Sequence, residues 1–232
     1  MTKRFSEVIL LTCLIVACAH AAEPTWPANY SLHHGETSSA SPDGELGFLV
    51  PTGDGYEKGD RVKLVNLKTG AIVHQIDHGE YWFQDGGGLS NGGIVPHWVA
   101  DPAHKSGWLC VIEFPGKWQP RNVTLIEVGP GAQFVETDIW ALVEAASQKH
   151  MKGKIPDKSF NENYAFLLTD AEIAWDGTKA VVIKATLDSN PKDLSNEPRW
   201  SGPCTSRFDL ATRKVTFEPG TIEYRKAEPE PK

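Results

Sequence analysis

The chain has 232 residues, of which 40% are hydrophobic and 23% charged, a composition typical of a globular protein with one sizeable core. The net charge of −7 is spread along the sequence. A nucleic-acid-binding domain normally carries a basic excess, so nucleic acid is excluded as an expected partner.

Residues 1–22 have the features of a signal peptide. Lys3 and Arg4 form a positive start, and an apolar run follows from Val8 to Ala19. This run is too short to span a bilayer, and Ala19-His20-Ala21 at its end matches the small-x-small site of signal peptidase. We therefore predict export to the periplasm or the exterior, with no transmembrane segment in the mature chain.

The leader also allows a second kind of processing. Ile15-Val16-Ala17-Cys18 resembles a bacterial lipobox, which would place a lipid anchor on Cys18 and hold the protein at a membrane. Plain cleavage and the lipoprotein alternative both stay open from the sequence.

The cysteine count allows one disulfide. Cys13 and Cys18 lie in the leader, which leaves Cys110 and Cys204 as an even pair in an oxidising compartment. We predict a Cys110–Cys204 disulfide, and the alternative is two unlinked buried thiols.

The first structural unit lies between residues 41 and 76. The turn Ser41-Pro42-Asp43-Gly44 leads into an apolar strand that ends at Val50. In "RVKLVNLKTGAIVHQI" at 61–76, alternating apolar and charged residues predict a second strand. Leu67 to Gly70 then form a tight turn, and Ala71 to Ile76 form a third strand.

The segment "YWFQDGGGLSNGGIVPHW" at 81–98 is the predicted ligand surface. Its successive aromatic residues can stack on a ligand, and its five glycines allow a close approach of the backbone. The predicted ligand-binding residues are Tyr81, Trp82, Asp85, Ser90, Asn91 and Trp98. The alternative is a flexible connector between two structural units.

Catalytic and metal-binding patterns near this segment are weak. "GLSNG" at 88–92 fits G-x-S-x-G, but residues 94–96 predict a strand where a nucleophile elbow needs a helix. His74 and His78 would lie about 13 Å apart on one strand, too far to share a metal. A turn could bring together His97, Asp101 and His104, a spacing that is weakly diagnostic. We predict no catalytic residue, no metal ion and no cofactor.

A weaker copy of the unit spans residues 100–134, and a helix follows it. "ADPAHKSGWLCVIEF" at 100–114 gives a turn and a strand, and "LIEVGPGAQF" at 125–134 gives strand, turn and strand. A helix is predicted from Asp138 to His150, with Thr137 as its cap. Its apolar face, which we expect to cover a sheet face or edge, consists of Ile139, Leu142, Val143 and Ala146.

A third copy spans residues 171–217. Asp176-Gly177 in "AEIAWDGTKAVVIKATL" matches the Asp43-Gly44 turn, and an apolar strand follows each. "FDLATRKV" at 208–215 aligns with "VNLKTGAI" at 65–72, so Asp209 takes the position of Asn66, which Glu127 holds in the second copy. The Pro- and charge-rich tail at 227–232 is predicted to be disordered.

These repeats resemble the blades of β-propellers of the WD40 and TolB-like type. The resemblance rests on "SPDG" with its apolar strand and on "VKLVNLKTG", and it covers about half of the chain. It implies a mainly β fold of antiparallel blade repeats with one inserted α-helix, in a domain over residues 23–226. Propellers typically close with four or more blades. Residues 23–38 and 78–97 could complete a divergent blade, the sheet could stay open, or chains could combine.

Blades form rigid platforms that carry variable loops, so the resemblance implies binding rather than a particular chemistry. We predict an exported, non-enzymatic binding or scaffold protein of the bacterial envelope, with a protein or carbohydrate ligand. The alternative is a carbohydrate-binding or carbohydrate-cleaving protein that uses loop aromatics and carboxylates.

Overall fold

The computed structural model describes residues 24–34, 39–52, 61–78, 93–116, 119–120, 122–129, 133–152, 167–188 and 199–225. Within these ranges the chain is mainly β, with three antiparallel sheets and one α-helix, which confirms the predicted fold class. None of the helical structure described here is both long enough and apolar enough to cross a bilayer. The predicted signal peptide, the Cys18 anchor and the C-terminal tail lie outside the described residues, so they and the limits 23–226 stay predictions.

Sheet 1 is formed by the first copy of the repeat. Its strands pair in chain order: β1 (Tyr30–Leu32), β2 (Leu46–Pro51), β3 (Lys63–Asn66) and β4 (Ile72–Gln75). The turn before β2 is closed by its own side chains, because Asp43 Oδ1 accepts hydrogen bonds from Ser41 Oγ at 2.5 Å and from the Glu45 amide at 3.0 Å. Gly44 has φ +70°, a left-handed conformation that glycine adopts without strain.

Sheets 2 and 3 repeat this four-strand path. Sheet 2 contains β5 (Val95–Ala100), β6 (Trp108–Phe114), β7 (Asn122–Gly129) and β8 (Gln133–Asp138). Sheet 3 contains β9 (Leu167–Asp176), β10 (Ala180–Asp188), β11 (Arg199–Asp209) and β12 (Lys214–Pro219), and β13 (Glu223–Arg225) pairs with the start of β11. The described parts of 23–38 and 78–97 supply the first strand of sheet 1 and the start of sheet 2, so they do not build a separate blade.

The predicted alignment of Asp209 with Asn66 is confirmed by the hydrogen bonds in the turn after the third strand of sheets 1 and 3. Asn66 Oδ1 accepts from the Lys68 amide at 3.0 Å, from the Thr69 amide at 2.9 Å and from Thr69 Oγ1 at 3.1 Å. Asp209 Oδ1 accepts from the amide and the hydroxyl of Thr212, both at 2.8 Å. Both side chains therefore close the same turn between the third and fourth strands of their sheets, an Asx-type turn.

Sheet 2 lies between the other two sheets in the core. Side chains of β6 alternate between its faces, as a strand requires. Cys110 and Ile112 join a cluster with sheet 1, whereas Leu109 and Val111 join a cluster with sheet 3 and the helix. The three sheets therefore share two apolar interfaces, an arrangement consistent with successive blades.

The predicted Cys110–Cys204 disulfide is not formed in the structure, where both cysteines are free and buried. Cys110 faces sheet 1, whereas Cys204 lies in the cluster on the opposite face of sheet 2. Desolvation raises the pKa of both thiols, that of Cys204 to about 11. They therefore stay protonated near neutral pH, the form of cysteine that reacts poorly.

Helix α1 (Ile139–Met151) lies between sheets 2 and 3 in sequence and contacts β7, β11 and β12. Its N-cap is Asp138, which accepts from the Ala141 amide at 2.9 Å, so the predicted Thr137 cap is wrong. Leu142 is 38% exposed, because the buried stripe lies one residue away from the predicted face. The buried residues of the helix are Ile139, Trp140, Val143, Ser147 and Met151.

The outer face of sheet 3 is polar. Glu172, Lys184 and Thr205 lie opposite one another on neighbouring strands, and Glu218 extends this row onto β12. All four are exposed. A further blade would need an apolar face to pack against, so this face is suited to solvent, as expected of a terminal repeat.

Candidate functional site

Of the predicted ligand-binding residues, only Trp98 is described. It lies in β5 and stacks on Phe48 of β2, with ring centroids 5.6 Å apart and an interplanar angle of 28°. Its indole Nε1 is buried and has no hydrogen-bond partner among the described residues. Trp98 therefore packs in the interface between sheets 1 and 2. The remaining predictions lie outside the described residues: Tyr81, Trp82, Asp85, Ser90 and Asn91.

The described residues on either side of 79–92, the range that holds most of the predicted ligand-binding residues, belong to the same sheet interface. Ile76 is fully buried and Ile94 is 3% exposed, and both belong to the cluster between sheets 1 and 2. They lie on either side of residues 79–92, so the two ends of that segment are fixed by the same apolar contacts.

A buried carboxylate stabilises the chain directly before residue 79. Glu136 lies in β8, the last strand of sheet 2, and its side chain is 8% exposed. It accepts hydrogen bonds from the Nε2 of His74 and, at 3.0 Å, from the Nδ1 of His78. Since a carboxylate can only accept, each of these ring nitrogens carries a proton.

Main-chain donors complete the coordination of Glu136. The Asp77 amide lies 3.2 and 3.1 Å from its two oxygens, and the His78 amide lies 3.3 Å from Oε2. The His74 ring stacks on Phe134 with centroids 5.0 Å apart. We call these five residues the Glu136 cluster: His74, Asp77, His78, Phe134 and Glu136. Burying a carboxylate costs several kcal/mol unless hydrogen bonds compensate, and here two imidazoles and two amides do so.

The Glu136 cluster was not predicted from the sequence. His74 and His78 were expected to lie far apart on one strand, but β4 ends at Gln75 and the chain then turns. Both imidazoles consequently reach one carboxylate from a strand about 60 residues away. No local pattern in the sequence indicates a contact of this kind.

Of His97, Asp101 and His104, which a turn could have brought together, the structure pairs only the last two. His104 Nδ1 lies 2.6 Å from Asp101 Oδ2, while His97 lies within β5. In the part of the chain that the structure describes, no group of three or more His, Cys, Asp or Glu residues is arranged to hold a metal ion.

Two tryptophans link neighbouring sheets by hydrogen bonds. The indole of Trp108 in sheet 2 donates to Asp43 Oδ2 of sheet 1 at 2.7 Å. The indole of Trp175 in sheet 3 donates to the main-chain oxygen of His97 in sheet 2 at 2.9 Å. Desolvation acts to raise the pKa of Asp43, but hydrogen bonds from Ser41, Glu45 and Trp108 outweigh it and lower the pKa. The Asp43 turn is therefore held as a charged acceptor between two sheets.

Comparison with known proteins finds no matching family model, no matching curated protein and no matching solved structure.

Proposed function

We propose that the protein is an exported, non-enzymatic binding or scaffold protein of the bacterial envelope, built on blades of the WD40 and TolB-like type. Residues 79–92 present its ligand surface. Blade-like sheets supply a rigid platform, and loops fixed on such platforms are the usual place for recognition. The leader supports export, with plain cleavage or a Cys18 anchor as the two routes.

The observation that carries this proposal is the Glu136 cluster. A connector between two sheets needs only apolar contacts at its ends, and Ile76 and Ile94 already supply these. The protein in addition buries a carboxylate that fixes the Asp77 and His78 amides directly before the segment. Such a costly anchor is justified where the direction of the following residues must be defined, as in a preorganised binding loop.

The proposed ligand surface is restricted to the part of the segment before β5. Trp98 is not part of this ligand surface, because its side chain packs against Phe48 in the interface between sheets 1 and 2. Tyr81 and Trp82 would supply the aromatic anchors, while Asp85, Ser90 and Asn91 would supply polar contacts. A protein ligand is the leading candidate, and a carbohydrate is the alternative for the same surface.

The test compares the mature protein with its Trp82→Ala variant. Both are cross-linked in envelope extracts for quantitative mass spectrometry, and both are applied to a glycan array. We expect one partner or glycan that the parent protein retains and the variant loses, with an unchanged melting temperature. Trp108→Phe is the matched control, because Trp108 lies on a strand and contacts Asp43, and this variant should keep full binding.

Two results would contradict the proposal. A folded Trp82→Ala variant that binds the same partner as strongly as the parent protein would remove the segment as the ligand surface. Turnover of a chromogenic glycoside, abolished by one carboxylate substitution, would instead establish the carbohydrate-cleaving alternative.

A further inference from the structure

The interface between sheets 2 and 3 contains a half-buried imidazole whose Nε2 has no hydrogen-bond partner among the described residues. His97 lies on the same face of β5 as Val99, which packs on the cluster between these sheets. Its Nε2 is buried, and no described residue bonds to it. Its main-chain oxygen accepts the indole hydrogen bond of Trp175 from β9, so residue 97 is a direct contact between the two sheets.

Among the described residues of β6 and β9, the strands that lie against His97, a single titratable side chain faces the same interface as His97. Val111 lies directly opposite on β6, and Glu113 lies two residues further along that strand. Glu113 is half-buried, and desolvation raises its pKa. From β9, Ile173 and Trp175 face this cluster, and neither side chain titrates. Among the described residues that face His97 from β6 and β9, Glu113 is therefore the one group that could neutralise a charged imidazole, and no hydrogen bond joins the two side chains.

We propose that His97 is an acid-sensitive contact between sheets 2 and 3, and that proton uptake by its imidazole separates β5 from β9. A neutral imidazole is tolerated in an apolar interface. An imidazolium without a partner is not, because both of its nitrogens must donate and its charge must be desolvated. Protonation therefore favours states in which Nε2 reaches water and the Trp175 hydrogen bond is broken. The Glu136 cluster joins sheet 2 to sheet 1 instead.

The direction of the pH response follows from linkage. Burial lowers the pKa of His97, so the closed state binds fewer protons than the open state below a pH of about 6.5. The contribution of His97 to the closed state is complete above that pH. As the pH falls below that value, the ratio of closed to open molecules decreases by up to about tenfold per pH unit.

The test measures hydrogen exchange in the full mature chain at pH 7.5 and pH 5.5, after correction for the intrinsic pH dependence of exchange. We expect protection in β5 and β9 to fall at pH 5.5 and protection in β2 and β3 to be maintained. His97→Gln, which keeps a neutral polar side chain, should abolish the response in β5 and β9. His33→Gln is the matched control, because burial and the neighbouring His34 lower the pKa of His33, which follows β1, and this variant should keep the response in β5 and β9.

Three results would overturn the proposal. The first is a folded His97→Gln variant with the acid response of the parent chain. The second is loss of the response in Glu113→Gln, which would assign the switch to that carboxyl. The third applies even if His97→Gln does not fold: an NMR titration of the parent protein in which the pKa of His97 lies at or above the ordinary histidine value of about 6.5.

Discussion

Truncation of Trp98 to alanine tests whether this residue belongs to the core or to the ligand surface. The change removes the ring that stacks on Phe48 and leaves a gap in the cluster between sheets 1 and 2. Removal of a fully buried aromatic side chain costs about 3–5 kcal/mol. Because Trp98 is only partly buried, we expect the loss of unfolding free energy to lie at the lower end of this range, about 3 kcal/mol. The stacked pair itself contributes roughly 0.5–1.5 kcal/mol of this.

Trp98→Phe is the informative companion variant. Phenylalanine can keep the stacking on Phe48, and it removes an indole N–H that is buried without a partner among the described residues. An unsatisfied buried donor costs about 1–3 kcal/mol, which offsets the lost apolar contact of the larger ring. We therefore expect Trp98→Phe to lie within about 1 kcal/mol of the parent protein.

Urea unfolding and calorimetry measure both variants. For a chain of this length a loss of about 3 kcal/mol corresponds to a fall in Tm of roughly 6–12 °C. An unchanged Tm for Trp98→Ala would show that the ring does not pack in the core. Equal destabilisation by both variants would show that the indole N–H has a partner that stabilises the fold.

Further predictions concern the polar contacts and the thiols. Asp43→Ala should cost about 1–3 kcal/mol in urea unfolding, since it removes the acceptor of the Trp108 indole and of the turn; a neutral result would contradict that role. Glu136→Gln, which keeps one acceptor oxygen, should speed hydrogen exchange at residues 77 and 78 less than Glu136→Ala, and equal protection in all three proteins would exclude the anchor. Cys110 and Cys204 should both alkylate, and only after denaturation, so a linked peptide in a non-reduced digest would contradict the free thiols.

The repeat could be predicted because its signals are local. Asp43-Gly44 and the Asn66 and Asp209 turns are closed by side chains within a few residues of the backbone groups that they bind. A pattern of this kind is readable from a short stretch of sequence. The first strand of sheet 1 was missed, because β1 is only three residues long. The first strand of sheet 2 was predicted only over residues 94–96, because Pro96 weakens the strand pattern of β5.

The Glu136 cluster and the state of the cysteines could not be predicted in this way. Each depends on which face of a strand meets which neighbour, and a count of residue types carries no such information. Cys110 and Cys204 formed an even pair in the sequence, yet alternation along β6 directs Cys110 away from the cluster that contains Cys204. The carboxylate of Glu136 likewise meets His74 only because two edge strands come together.

Sheet 2 is therefore held differently on its two faces. Toward sheet 1, the buried charge of Glu136 has donors on both oxygens, and the contact also fixes the residues before the proposed ligand surface. Toward sheet 3, the half-buried His97 has no partner for its Nε2 among the described residues, and the Trp175 indole joins β9 to β5 by a hydrogen bond. A satisfied buried polar group rigidifies an interface, whereas an unsatisfied one lowers the cost of opening it. The fold thus places its proposed binding segment beside the interface that the Glu136 cluster holds, and the proposed acid-sensitive contact lies on the opposite face of sheet 2.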